Sequence, residues 1–238
     1  MEEFGRLVGV ENLTVLVAGE YRIRPVSFAI FPNRVLREAG LLAVRKAPEG
    51  ELIDFEESRA WALADHQVSH VYFKLGLSRD KRDELVAQIH ALFDKRRGVK
   101  QVYSGTALIG AGLSDTPVPA LASRCGDVVI ESTAGSWQAY PWWFGDGKAP
   151  SFARTIDIHR KPGYDPLELF IDRTAPPPPG MPFGIPLDTT LVKGSHGAID
   201  ADDPHETVLV SSRPDVIGST PLHARDLAGI VLKLFGTK

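Results

Sequence analysis

The sequence predicts an α/β fold, a mostly parallel sheet flanked by helices, and three observations carry that prediction. The run Leu13-Thr14-Val15-Leu16-Val17-Ala18 is short, apolar and unbroken, as a strand buried on both faces would be. Residues 83–96 carry Leu85, Val86, Ile89, Leu92 and Phe93 at helical spacing. Residues 222–235 repeat that pattern with Leu227, Ile230, Val231 and Leu234. With 238 residues, 43% hydrophobic and 24% charged, the chain suits a single α/β domain spanning 1–238.

Each element follows in order. The first strand stops at Gly19-Glu20-Tyr21-Arg22, and ligands of open α/β sheets bind just past the carboxyl ends of strands. Glu20 and Tyr21 are therefore candidate site residues, with a charged solvated loop as the competing reading. Pro32 to Gly40 predicts a short helix with Pro in its first turn and Gly as its stop, followed by a Leu41-Leu42-Ala43-Val44 strand. Two further strands are expected at 61–64 and 70–73, joined by the polar Asp65-His66-Gln67. His66 and His70 read as structural or surface residues, because four-residue spacing pairs two ligands on a helix and not on a strand.

Ser78 is a plausible N-cap and Gly98 a plausible stop for the amphipathic helix, whose Lys95, Arg96 and Arg97 favour the negative end of the helix dipole. Strands at 101–103 and 127–131 bracket a short helix at 119–124. Trp137, Tyr140, Trp142, Trp143 and Phe144 form an aromatic cluster that reads as core ahead of a stacking platform. The stretch Asp157-Ile158-His159-Arg160-Lys161-Pro162-Gly163-Tyr164-Asp165 is dense in groups able to hold a phosphate. His159, Arg160, Lys161 and Asp165 are its candidate substrate-binding residues. A Pro-rich spacer, 174–182, then leads to Lys193-Gly194-Ser195-His196-Gly197, where two glycines let the backbone turn around one imidazole. His196 is a candidate ligand or base, against the competing reading of an ordinary surface turn. Asp200, Asp202, Asp203 and His205 follow it, then a Thr207-Val208-Leu209-Val210 core strand.

A formal net charge of −3 excludes a chain-wide surface for nucleic acid or anionic membrane. One cysteine, Cys125, excludes an internal disulfide framework. The start lacks the basic-then-apolar pattern of a signal peptide, and no apolar run has the length of a membrane span. These features predict a cytoplasmic protein with no membrane and no nucleic-acid polymer as partner.

Thr14-Val15-Leu16-Val17-Ala18-Gly19-Glu20-Tyr21-Arg22-Ile23-Arg24-Pro25-Val26, followed by Asn33-Arg34-Val35-Leu36-Arg37-Glu38-Ala39-Gly40-Leu41-Leu42, resembles the type I phosphodiesterase/nucleotide pyrophosphatase family of the alkaline phosphatase superfamily. There a strand ends in Ser-Asp-His-Gly, a Pro-Val follows, and an Asn-x-x-Leu-x-x-x-Gly-Leu-Leu segment comes next. Gly194-Ser195-His196-Gly197 resembles the family's later Gly-x-His-Gly loop, and 226–236 its closing helix. The resemblance covers roughly 11–75 and 187–236.

The resemblance implies an alkaline-phosphatase-like sheet with a cap-like or variable segment at about 100–186. It also implies a metal-dependent phosphoric-ester hydrolase using divalent cations, zinc or else manganese, on a small phosphate ester or nucleotide. His196 would bind one metal, and Glu20 and Tyr21 would stand where the family has Asp and His on the other. A phenol is a poor replacement for an imidazole. The family's nucleophile and first metal-binding Asp lie upstream of this strand, so the chain corresponds to the C-terminal half of an incomplete fold, and no catalytic nucleophile is evident. A half-fold leaves apolar edge exposed, which predicts a homo-oligomer or an N-terminal complementing segment. The alternative is a non-catalytic phosphate- or nucleotide-binding α/β module.

Overall fold

The computed structural model describes residues 2–115, 124–174, 177–199, 207–218, 222–224 and 226–236. The expected helix at 119–124 and the cluster of Asp200, Asp202, Asp203 and His205 lie outside these, apart from Arg124. The chain divides into two compact units, Ile23–Ile199 and a second formed by Met1–Arg22 with Asp200–Lys238.

The larger unit is built on a four-stranded antiparallel sheet in the order Ala60–Asp65, Val68–Phe73, Val128–Ser132, Val99–Ser104. Strand pairing follows chain economy: two strands joined by a two-residue turn can only be antiparallel. The expected mostly parallel sheet is thus corrected. Parallel pairing of named strands among the described residues is confined to Ser136–Gln138 beside Phe28–Ile30. Unbroken apolar runs suggested parallel strands, yet the Val128–Ser132 strand is buried along its whole length while antiparallel on both sides. Helices covering a sheet make its strands apolar whichever way they run. Two strands from the segment expected to be cap-like complete this sheet.

The Arg79–Phe93 helix covers it with Leu85, Ile89 and Phe93, packed among Val71, Val102 and Ile130. Ser78 caps the helix by accepting from the Lys81 N–H, and Gly98 turns the chain at φ +89°. The Pro32–Glu38 helix ends before Gly40, whose φ of +67° suits a glycine stop. Its Asn33 is wholly buried, donating to the carbonyls of Ala62 and Tyr140 and accepting from the Ala62 N–H. Tyr140, Trp142 and Trp143 are core, stacked edge to face. Trp137 joins a second core cluster with Val26 and Ile185, while Phe144 is exposed beneath Arg37.

In the smaller unit Leu16–Ala18 pairs antiparallel with Leu209–Ser211, joined by helices Glu2–Val8, Pro214–Ile217 and Asp226–Leu234. Neither strand is the buried core strand its β-branched residues suggest. Val17 is 56% exposed and Val210 57%. A two-stranded ribbon has no inner strand to cover. On the last helix Ile230 is buried, while Val231, expected inward, is exposed. No helix among the described residues is long and apolar enough to cross a membrane.

Candidate functional site

The site is assembled from two loops that the sequence separates by 130 residues. The first is the tip of the 60–73 hairpin, where Asp65 pairs with Val68 and leaves His66 and Gln67 as a two-residue turn. His66 has φ +57°, the one positive value at a non-glycine among the described residues. Such a turn, with positive φ at its first residue, ordinarily takes glycine there. An imidazole in its place costs about 1–2 kcal/mol of backbone strain. Backbone strain of this kind gathers where a side chain has to be aimed.

The second loop is Gly194-Ser195-His196-Gly197. Gly194–Ser195 pairs antiparallel with Arg24–Pro25, and the Val26 N–H donates to the Lys193 carbonyl at 3.0 Å. The Arg-Pro-Val and Gly-Ser-His-Gly stretches, both singled out in the sequence, are therefore hydrogen-bonded neighbours. The Gln67 N–H then donates to the His196 carbonyl at 2.9 Å, tying this loop to the hairpin tip. Gly197, at φ +90°, releases the chain from this contact, as only a residue without a Cβ does cheaply.

These bonds bring the His196 ring to 3.7 Å from that of His66, centroid to centroid, with a tilt of 33°. Tyr164 stacks on the other ring contact of His66, at 4.2 Å and 21°. Both imidazoles are half-buried. Asp65 lies 2.7 Å from His66 Nδ1, so that nitrogen donates to the carboxylate and the neutral ring keeps its lone pair on Nε2. This hydrogen bond holds the Asp65 carboxyl below the usual carboxylate range, against the opposing effect of burial. The Gln138 N–H donates to the His66 carbonyl, and buried Gln67 anchors the turn through Nε2 to the Ala134 and Ser136 carbonyls. His66, expected to be structural or surface, is thus at the centre of the cluster. The missed signal was a polar Asp-His-Gln at a hairpin tip where a turn former belongs.

Tyr164 reaches His66 because Gly163 lies flat on the neighbouring strand, its carbonyl-side neighbour Tyr164 donating an N–H to the Ala64 carbonyl at 2.9 Å. A Cβ on Gly163 would sit 2.0 Å from that oxygen.

The expected phosphate-binding stretch behaves differently. Lys161 has a side chain 1% exposed, with Nζ 2.8 Å from Asp165 and 2.7 Å from Glu168. Burial raises the Asp165 carboxyl's affinity for protons, partly offset by Lys161. Asp165 also accepts from the Leu167 N–H, capping a short helical turn. Arg160 bonds Asp157 at 2.5 Å, and exposed His159 donates its backbone N–H to the same carboxylate. Lys161 and Asp165 therefore shape the loop that presents Tyr164, and their charges are spent on one another. The two cations and Tyr164 come from one loop, but only Tyr164 meets the imidazoles.

Glu20 and Tyr21 are exposed in the smaller unit. For a metal at His196, the donor types beside it, a second imidazole and a carboxylate, suit zinc. Their arrangement does not. Ligating lone pairs lie in the ring planes, and two rings whose centroids are 3.7 Å apart at a tilt of 33° do not aim them at one point. Among the described residues no group of three or more His, Cys, Asp or Glu side chains is disposed to hold a metal ion.

No family model matches the sequence, and no curated relative matches it. Among solved structures the chain is similar to phosphonoacetate hydrolase from Sinorhizobium meliloti 1021 in two complexes. With phosphonoformate the identity is 15% over 58% of this chain and 30% of that one, at a TM-score of 0.33. With phosphonoacetate it is 14% over 63% and 32%, at 0.35. The chain spans about a third of that enzyme's length.

Proposed function

We propose that this chain is a phosphoric-ester hydrolase-type protein, phosphodiesterase/nucleotide pyrophosphatase-like, whose phosphoryl-recognition end includes Asp65, His66 and His196. One observation carries the reading. The loop that resembles the family's Gly-x-His-Gly motif delivers His196 onto a second imidazole, which a carboxylate orients and a strained turn projects.

The chemistry follows from the tautomer. With Nδ1 donating to Asp65, Nε2 of His66 either accepts a proton from an attacking hydroxyl or, once protonated, donates to a phosphoryl oxygen. Asp65 stabilises the imidazolium in that second state. In this reading the attacking nucleophile comes from an upstream segment or from a second copy of the chain. Zinc or manganese is what the resemblance implies; the residues beside His196 do not fit such an ion, and no step is assigned to it.

A second reading is phosphate or nucleotide binding without turnover, in which the imidazole cluster binds and the ion-paired Arg160 and Lys161 take no part. Those cations are engaged by Asp157, Asp165 and Glu168, leaving the imidazoles and the Tyr164 ring as the groups that meet at the cluster. An aryl phosphodiester assay with and without zinc and manganese, run beside a binding titration, separates the two. Turnover abolished by His196→Ala supports the hydrolase; saturable binding with no turnover supports the module. If neither occurs, both readings fail.

A further inference from the structure

A recess that neither imidazole lines lies in the larger unit, unused by the chemistry above. It is a cleft of about 290 Å³ between the 28–38 segment and the turn that ends the Arg79–Phe93 helix. Phe28 and Phe31 supply its aromatic walls, Arg34, Arg96 and Arg97 its cations, and Glu38 its one carboxylate. Three guanidiniums against Glu38 in the lining and Asp146 near Arg34 leave a formal surplus of one positive charge.

The arginines are placed, not scattered. The Arg34 guanidinium carbon sits 4.0 Å from the Phe31 ring centroid and that of Arg97 sits 4.4 Å from the Phe28 centroid. A guanidinium stacked on a ring keeps its N–H edge free to fork onto an oxyanion. Arg34 Nε is buried with no hydrogen-bond partner among the described residues. Burial works against the Arg34 cation, eased in part by Asp146 and then Glu38. A cation so desolvated gains more than an exposed one from a bound anion. Gly98 makes the geometry possible, since a Cβ there would sit 2.9 Å from the Phe28 ring and push the Arg96-Arg97 turn off the cleft.

The size and lining define the ligand. The volume is at the small end for ligand sites, with apolar walls and few convergent polar groups. Glu38 at the same cleft disfavours a dianion. We propose that this cleft is a binding site for a small monocarboxylate with an aromatic or branched apolar body, held by the guanidiniums of Arg34, Arg96 and Arg97.

The test is a titration of the full chain with benzoate, followed by the Arg34 Nε–Hε resonance in nitrogen-15 NMR. Phenyl phosphate and benzyl alcohol are run as comparisons. Arg96 and Arg97 are exposed, so an Arg96→Gln/Arg97→Gln variant keeps the fold while losing two donors. The expected result is saturable benzoate binding that moves the Arg34 signal and weakens about tenfold or more in that variant. Binding persists in His196→Ala, and benzyl alcohol does not bind. Glu38→Gln should tighten phenyl phosphate more than benzoate. Absence of saturable binding, or binding indifferent to the arginine substitutions, overturns the site. Loss in His196→Ala alone would move the ligand to the imidazole cluster. Phenyl phosphate binding more tightly than benzoate would overturn the carboxylate assignment.

Discussion

The His66 ring faces that of His196 at 3.7 Å, and the contact is fastened by a hydrogen bond between the Gln67 N–H and the His196 carbonyl. Two loops far apart in the chain are thereby held in one register. The two loops cannot separate without breaking that backbone bond. The energetic trace of that arrangement is the left-handed backbone of His66, from which the first prediction follows.

Replacing His66 by glycine relieves the strain, whereas alanine keeps it. The glycine variant should be about 1 kcal/mol more stable than the alanine variant, although both lose the ring. Urea unfolding of the pair measures this. Equal stabilities would mean the turn carries no strain.

Lys161 between Asp165 and Glu168 is a buried ion cluster, and breaking such a cluster costs more than never having built it. Lys161→Met leaves two carboxylates facing each other and should cost about 3–5 kcal/mol, read as a fall in the urea midpoint. Adding Asp165→Leu and Glu168→Leu should recover much of the loss.

Asn33 satisfies three backbone groups at once. Asn33→Ala leaves buried donors and acceptors at Ala62 and Tyr140 unpaired, at a cost of about 2–3 kcal/mol by calorimetry. A near-neutral result would mean water replaces the amide. This asparagine belongs to the stretch that carries the family resemblance, and its observed work is structural.

His70 gives a pH dependence. Its Nδ1 accepts from the Gly126 N–H at 3.2 Å, and burial lowers its affinity for protons, against a smaller opposing effect of Asp65. A depressed native value means the unfolded chain binds more protons, so this contribution is present above about pH 6.5 and is lost as pH falls through the native value. Thermal unfolding between pH 7 and 5 should show that loss. His70→Asn, which keeps an acceptor but does not titrate, should flatten it. Asp165, with its raised value, works in the opposite direction at lower pH, its contribution falling as pH rises out of the ordinary carboxylate range.

Local signals carried much of this fold and little of its pairing. The Ser78 cap, the Gly40 stop, the strands at 61–64 and 70–73 and the aromatic core were legible because each depends on nearby residues or on bulk that must be buried. Strand direction was not, since apolar runs report burial and Val128–Ser132 is buried in antiparallel company. At the site His196 stood out through its flanking glycines. His66 did not, because its meaning lies in a turn angle and a neighbour 130 residues away. Arg160 and Lys161 look like anion binders in one dimension; Asp157, Asp165 and Glu168 claim them in three.

The central claim is that the His66–His196 pair recognises a phosphoryl group. The direct measurement is a nitrogen-15 titration of the imidazole side chains with an aryl phosphate. Saturable shifts at both His66 and His196, abolished at His66 by His196→Ala, are the predicted result. Imidazole signals unmoved at saturating ligand, or a His66 response unchanged in His196→Ala, would contradict it.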